Sequence, residues 1–126
     1  MLNMDGFKSF NFSEGNPYVS ITKNGLTFNK SSVIKTGYPE FVVLLINDDE
    51  KKIAIQRCGE ETPNAMRFYK EKKSGIISVR WNSKDLLNKL QFITGWDLSQ
   101  DAYSVDGIFL NEESAIIFDL TKAKKL

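Results

Sequence analysis

The sequence predicts an α+β fold: a single β-rich domain over residues 1–126, built from two pseudo-symmetric strand–helix–hairpin halves at about 18–58 and 75–120. Three observations predict it. Short runs rich in β-branched and aromatic residues recur between turn-forming clusters. Two segments carry helical start and stop signals. The local signatures of the first half return in the same order in the second.

In chain order, Phe10 and Phe12 alternate with polar residues, as a short edge strand does, and Glu14-Gly15-Asn16-Pro17 reads as a turn. Tyr18 to Thr22 has strand composition, and Asn24-Gly25 is the strongest short hairpin signal, so Leu26 to Phe28 is the returning strand. Asn29 caps a short helix from Lys30 to Thr36, which Gly37 ends in a left-handed conformation. Phe41 to Ile46 is a continuous apolar run, predicting a central strand covered on both faces. Asn47 to Glu50 turns the chain into Lys52 to Gln56, and Cys58 to Asn64 reads as a loop.

In the second half, Ile76 to Trp81 is a strand with Ile77, Val79 and Trp81 on one face. Asn82 or Ser83 caps a longer helix with Leu86, Leu87, Leu90 and Ile93 at helical spacing, ended by Gly95. Tyr103 to Leu110 is a strand with a bulge expected at Gly107. Asn111 to Ser114 turns it into Ala115 to Phe118, and the basic tail from Lys122 to Leu126 is expected to fray.

Three signatures align between the halves. Phe28-Asn29-Lys30-Ser31 matches Trp81-Asn82-Ser83-Lys84, Gly37-Tyr38 matches Gly95-Trp96, and Ile46-Asn47-Asp48-Asp49 matches Leu110-Asn111-Glu112-Glu113. The physical reason for pairing is burial: one unit leaves an apolar sheet face open, and a second copy covers it about a pseudo-two-fold axis.

The run Gly25-Leu26-Thr27-Phe28-Asn29-Lys30, a short helix, a glycine and a hairpin resembles the AbrB-type swapped-hairpin regulators, and the tandem copy resembles the MraZ-type arrangement of that family. The resemblance covers Tyr18 to Gln56 and, more weakly, Ile76 to Asp119. It departs where the family usually has a proline after the strand, here Asn29, and an arginine-bearing helix, here Ser31-Ser32-Val33-Ile34. What it implies is a bacterial-type, DNA-binding transcription regulator.

Composition bounds the function. Charged residues are 26% of the chain and the net charge is +1, without the overall basic bias of many nucleic-acid binders, although a local basic face is what matters for binding. Histidine is absent, which removes the commonest general base and metal ligand. The single Cys58 has no partner for a disulfide or for zinc and reads as a small hydrophobe in a reducing, cytoplasmic setting. Asp48-Asp49-Glu50 and Glu60-Glu61 lack the alternating ligand spacing of a cation loop. No secretory leader is expected, and no apolar run approaches the ~20 residues that span a bilayer. These features predict no enzyme activity, no cofactor and no metal.

The candidate site is the stretch Arg67-Phe68-Tyr69-Lys70-Glu71-Lys72-Lys73 with Arg80, Trp81 and Lys84. Cations interleaved with rings can neutralise phosphates and stack on bases; the same pattern also describes a solvated linker whose rings anchor it to a core. Lys23 and Lys30, flanking the hairpin, form a second basic contact or simply keep a turn soluble. The expected partners are double-stranded DNA or, alternatively, another protein, with pairing of two copies allowed.

Overall fold

Two hairpins close around the acidic turns, because each joins strands whose inward positions are large and apolar. The computed structural model describes residues 4–8 and 15–126. Among the described residues the strands are β1 (Tyr18–Thr22), β2 (Gly25–Phe28), β3 (Phe41–Asn47), β4 (Lys52–Cys58), β5 (Met66–Arg67), β6 (Val79–Trp81), β7 (Tyr103–Leu110), β8 (Ala115–Asp119) and β9 (Lys124–Lys125). The helices are α1 (Lys30–Lys35) and α2 (Lys84–Thr94), with a 3-10 turn over Leu120–Lys122.

The strands form one antiparallel sheet in the order β5-β3-β4-β8-β7-β1-β2-β6, with β9 beside β7. It curls into a half-barrel. The eight-residue β7 changes partner midway: Tyr103 to Asp106 pair with β1, and Gly107 to Leu110 pair with β8. The end strands meet side by side, where the Trp81 indole N–H donates to the carbonyl oxygen of Arg67 at 3.1 Å.

Alternation along the strands sends one set of side chains into a shared core. Val19, Ile21, Leu26, Phe28, Ile55, Val105, Ile116 and Phe118 are fully buried there, joined by Val33 of α1 and Leu90 of α2. Phe28 is its centre, with its ring 5.4 Å from Phe68, 5.0 Å from Trp81 and 5.8 Å from Phe118. Asn29 secures the start of α1: its side-chain oxygen accepts from Ser32 N at 3.1 Å and from Tyr18 N at 3.0 Å, and its amide donates to Asn16 O. Ser83 caps α2, and Gly95 ends it at φ 78°. No helix among the described residues is long and apolar enough to cross a membrane.

Several expectations need correction. Phe41 to Ile46 is not covered on both faces: Val42 is buried, but Leu45 keeps 46% of its surface, because among the described residues no second layer covers that end of β3. Gly107 makes no bulge: the β1–β7 register reaches Asp106 unbroken, the Gly107 N–H donates to Pro17 O at 2.8 Å in step with it, and the β7–β8 register runs unbroken from Gly107 to Leu110. It is glycine at a close approach: a Cβ there would strike Ile116 and the Phe118 ring. The sixth strand begins at Val79 rather than Ile76, and Ile76 is exposed. The hairpin turn is Lys23-Asn24, with Gly25 already paired to Thr22. The C-terminal tail is not frayed, because Lys124 and Lys125 pair with Ser104 and Tyr103. The expected edge strand at Phe10 and Phe12 lies outside the described residues.

Candidate nucleic-acid interface

The basic stretch divides into two places. Arg67 lies on β5, where its guanidinium is 3.3 Å from Glu40 Oε1 and 5.2 Å from the centre of the Phe41 ring. Arg67 and Lys70 border a cleft of about 280 Å³ that also carries Glu40 and Glu71, so positive charge is offset there. Lys70, Lys72 and Lys73 are exposed on the loop before β6. The rings between these cations are spent on the core: Phe68 and Trp81 are buried, and Tyr69 sets its edge against Tyr38 at 5.4 Å. Phe68 and Trp81 therefore offer no free face for stacking on a base.

The second place lies around the β1–β2 turn. Arg80 occupies the outward position of β6, between buried Val79 and Trp81, and donates from Nη2 to Asn24 O at 3.2 Å. Lys23 and Lys84 share the rim of a hollow with Leu87, Asn88, Gln91 and Ser99. Lys30, the first residue of α1, lies past the far end of β2 and is exposed. The fold thus brings Lys23 to Arg80 and Lys84, which lie far along the chain from it, while Arg67 sits on β5, whose main-chain oxygen meets the Trp81 indole.

Register shows what surrounds Arg80. Arg80 is opposite Thr27, Thr27 opposite Ser20, Ser20 opposite Ser104, and Ser104 opposite Lys124. All five are outward positions flanked by buried neighbours or lying on the sheet edge. At ~4.8 Å between strands, the row extends ~19 Å. It is a polar track of three hydroxyls with a cation at each end. Hydroxyl and cationic side chains are what contact the phosphates of a nucleic acid backbone. Ser20, Thr27, Ser104 and Lys124 escape inspection of sequence runs; the only signal for them is strand parity once pairing is known.

The outer face at the other side of β7 differs completely. There Leu45 is opposite Ala54, Ala54 opposite Ile117, and Ile117 opposite Ile108. The half-barrel therefore has one polar, cation-bounded outer side and one apolar outer side. Beside the apolar row, Asp119 accepts from the Thr121 hydroxyl at 2.6 Å, and this bond, with the Thr121 N–H, Lys52 and Lys122, holds its pKa below the ordinary aspartate range against some desolvation.

Elsewhere Asp48 meets Lys89 of α2 at 2.8 Å, and Cys58 is half-buried. Among the described residues, no group of three or more Cys, Asp or Glu side chains is placed to hold a metal ion. Comparison with family models, curated proteins and solved structures finds no match to this chain.

Proposed function

We propose that this chain is a cytoplasmic, non-enzymatic DNA-binding protein of transcription-regulator type, which lays duplex DNA along the polar side of its half-barrel. The observation that carries this reading is the row Arg80–Thr27–Ser20–Ser104–Lys124, with Lys23 and Lys84 at one margin. Burial of Phe68 and Trp81 favours a duplex over a single strand, because single-strand binding leans on exposed rings. The exposed Lys70, Lys72 and Lys73 would add backbone contacts from the neighbouring loop, and Lys30 from the far end of β2. Arg67, engaged with Glu40, contributes least.

The scaffold we propose is a pair of equivalent, interleaved units: β2-α1-β3-β4 and β6-α2-β7-β8. Four features support it. β2 pairs with β6 about Thr27–Arg80, and β4 pairs with β8 about Ala54–Ile117. Each hairpin closes through four residues, the last of them left-handed: Lys51 at φ 56° and Ser114 at φ 49°. Each helix is followed by a left-handed glycine, Gly37 at φ 84° and Gly95 at φ 78°. Lastly, β1 pairs with β7 and β5 with β3, so each leading strand joins the other unit's hairpin. This interleaving is what kinship with the AbrB-type swapped-hairpin regulators would produce.

Fluorescence anisotropy with a random duplex at two salt concentrations tests the reading. Neutralising four phosphates, one each for Lys23, Arg80, Lys84 and Lys124, gives a logarithmic salt slope of roughly −3 to −4. Arg80→Ala with Lys124→Ala should reduce that slope by about two. Absence of binding at low salt would overturn the proposal. The apolar outer row favours a second reading, a protein-contact module, in that event.

A further inference from the structure

We infer that the apolar outer face of β3-β4-β8-β7 is the docking surface for a second copy of this chain, arranged about a two-fold axis running along the strands between β4 and β8. This goes beyond the DNA reading, since it uses the apolar row, which adjoins the polar row only along β7 and at Lys124. Ile108 keeps 65% of its surface and Leu45 46%, and they stand at the two ends of the row Leu45–Ala54–Ile117–Ile108. A continuous apolar stripe across four strands marks a contact surface more often than scattered exposed residues do.

Charge complementarity points to a copy of the same chain. At the polar margin of the row, Lys52 on β4 is opposite Asp119 on β8, one on each side of the axis. Turning a second copy over that axis exchanges β4 with β8 and β3 with β7. Lys52 of each copy then meets the partner's Asp119, giving two equivalent ion pairs across one isologous interface. Lys122, Lys124 and Asp106 border the same cleft of about 530 Å³ as this pair, so the margin carries charges of both signs. Such a mixed margin suits itself better than it suits a uniformly anionic membrane or a strongly charged peptide.

Shape agrees with charge. Ala54 is the one small side chain of the row, and beside it lies a hollow of about 240 Å³ bordered by Leu45, Ala54 and Ile117. The same two-fold rotation sets the prominent Ile108 of each copy over the Leu45–Ala54 hollow of the other. The row crosses four strands, ~14 Å at ~4.8 Å between strands, a narrow patch beside standard interfaces that bury ~800 Å² per partner. A reversible dimer with a dissociation constant on the order of 10 μM is therefore expected.

Sedimentation equilibrium of the full chain from ~1 to ~200 μM tests this, bracketing that constant. The wild type should pass from monomer to dimer over the range. Leu45→Lys and Ile108→Asp, both at exposed positions, should each weaken the dimer by ~10-fold or more. Thermal melts check that both variants remain folded. In the double variant the introduced ammonium of each copy faces the introduced carboxylate of the other, twice over, so it should regain association at low salt and lose it as salt rises. A wild type that remains monomeric overturns the proposal, as do single variants that dimerise normally. A folded double variant that stays monomeric overturns the two-fold geometry. Wild-type monomer that floats with anionic vesicles gives the face to a membrane instead and equally overturns it.

Discussion

The indole Nε1 of Trp81 donates to the main-chain oxygen of Arg67 at 3.1 Å, joining β6 at one end of the sheet to β5 at the other. The two-residue β5 is held by this bond, by its short register with β3, and by the Phe68 and Tyr69 N–H groups donating to Glu40 O and Pro39 O. Trp81→Phe keeps a ring beside Phe28 and removes the donor. It should cost about 1–2 kcal/mol in denaturant unfolding, with faster amide exchange around Arg67. Trp81→Ala should cost about 3–5 kcal/mol by opening a cavity in the aromatic cluster.

Gly25 sits at φ 136° beneath the Trp81 carbonyl, a backbone position where a Cβ both strains the chain and meets the oxygen. Gly25→Ala should therefore destabilise by about 2 kcal/mol or more, read as a lowered unfolding midpoint. An unchanged midpoint would mean that β2 and β6 are not so closely apposed.

Asn29 serves two elements with one side chain, capping α1 and binding the first amide of β1. Asn29→Ala should cost about 1–2 kcal/mol. Asn29→Asp keeps the acceptor oxygen and loses only the amide's bond to Asn16 O, so it should be more stable than Asn29→Ala, and equal losses in the two variants would contradict the assignment.

Asp119 supplies the pH dependence. Its folded pKa lies below the unfolded value, chiefly through the Thr121 hydroxyl, so its stabilisation is complete above the unfolded pKa and is lost as pH falls through the folded one. Asp119→Asn should thus be less stable than the wild type at neutral pH. The difference should shrink progressively below about pH 4. A gap that persists unchanged in acid would rule out the ionised carboxylate as its source.

Local chemistry made much of the fold legible. Asn29 and Gly37 marked the ends of α1, and Gly95 marked the end of α2. Apolar, β-branched runs and turn residues located both long hairpins. What local chemistry did not reveal depends on pairing between distant segments. β5 is too short to have a pattern, and β9 is held only because β7 has an open edge beyond the end of β8. Phe41 to Ile46 reads as doubly buried, yet whether a second layer covers a strand is a property of the whole sheet. The site was half legible for the same reason. Arg80, Lys84 and Lys23 were visible as charges, while Ser20, Thr27 and Ser104 join them only through cross-strand register. The rings of the stretch read two ways, and the burial of Phe68 and Trp81 fits the one in which they anchor it to the core, because ring and cation alternation along a chain does not say which side faces inward.

Titrating a short DNA duplex into the isotopically labelled protein and following its amide resonances tests the central claim most directly. The account predicts shifts concentrated at Ser20, Thr27, Arg80, Ser104 and Lys124, fading as salt is raised. Shifts centred on the apolar row at Ala54 and Ile117, or no shifts at low salt, would contradict it.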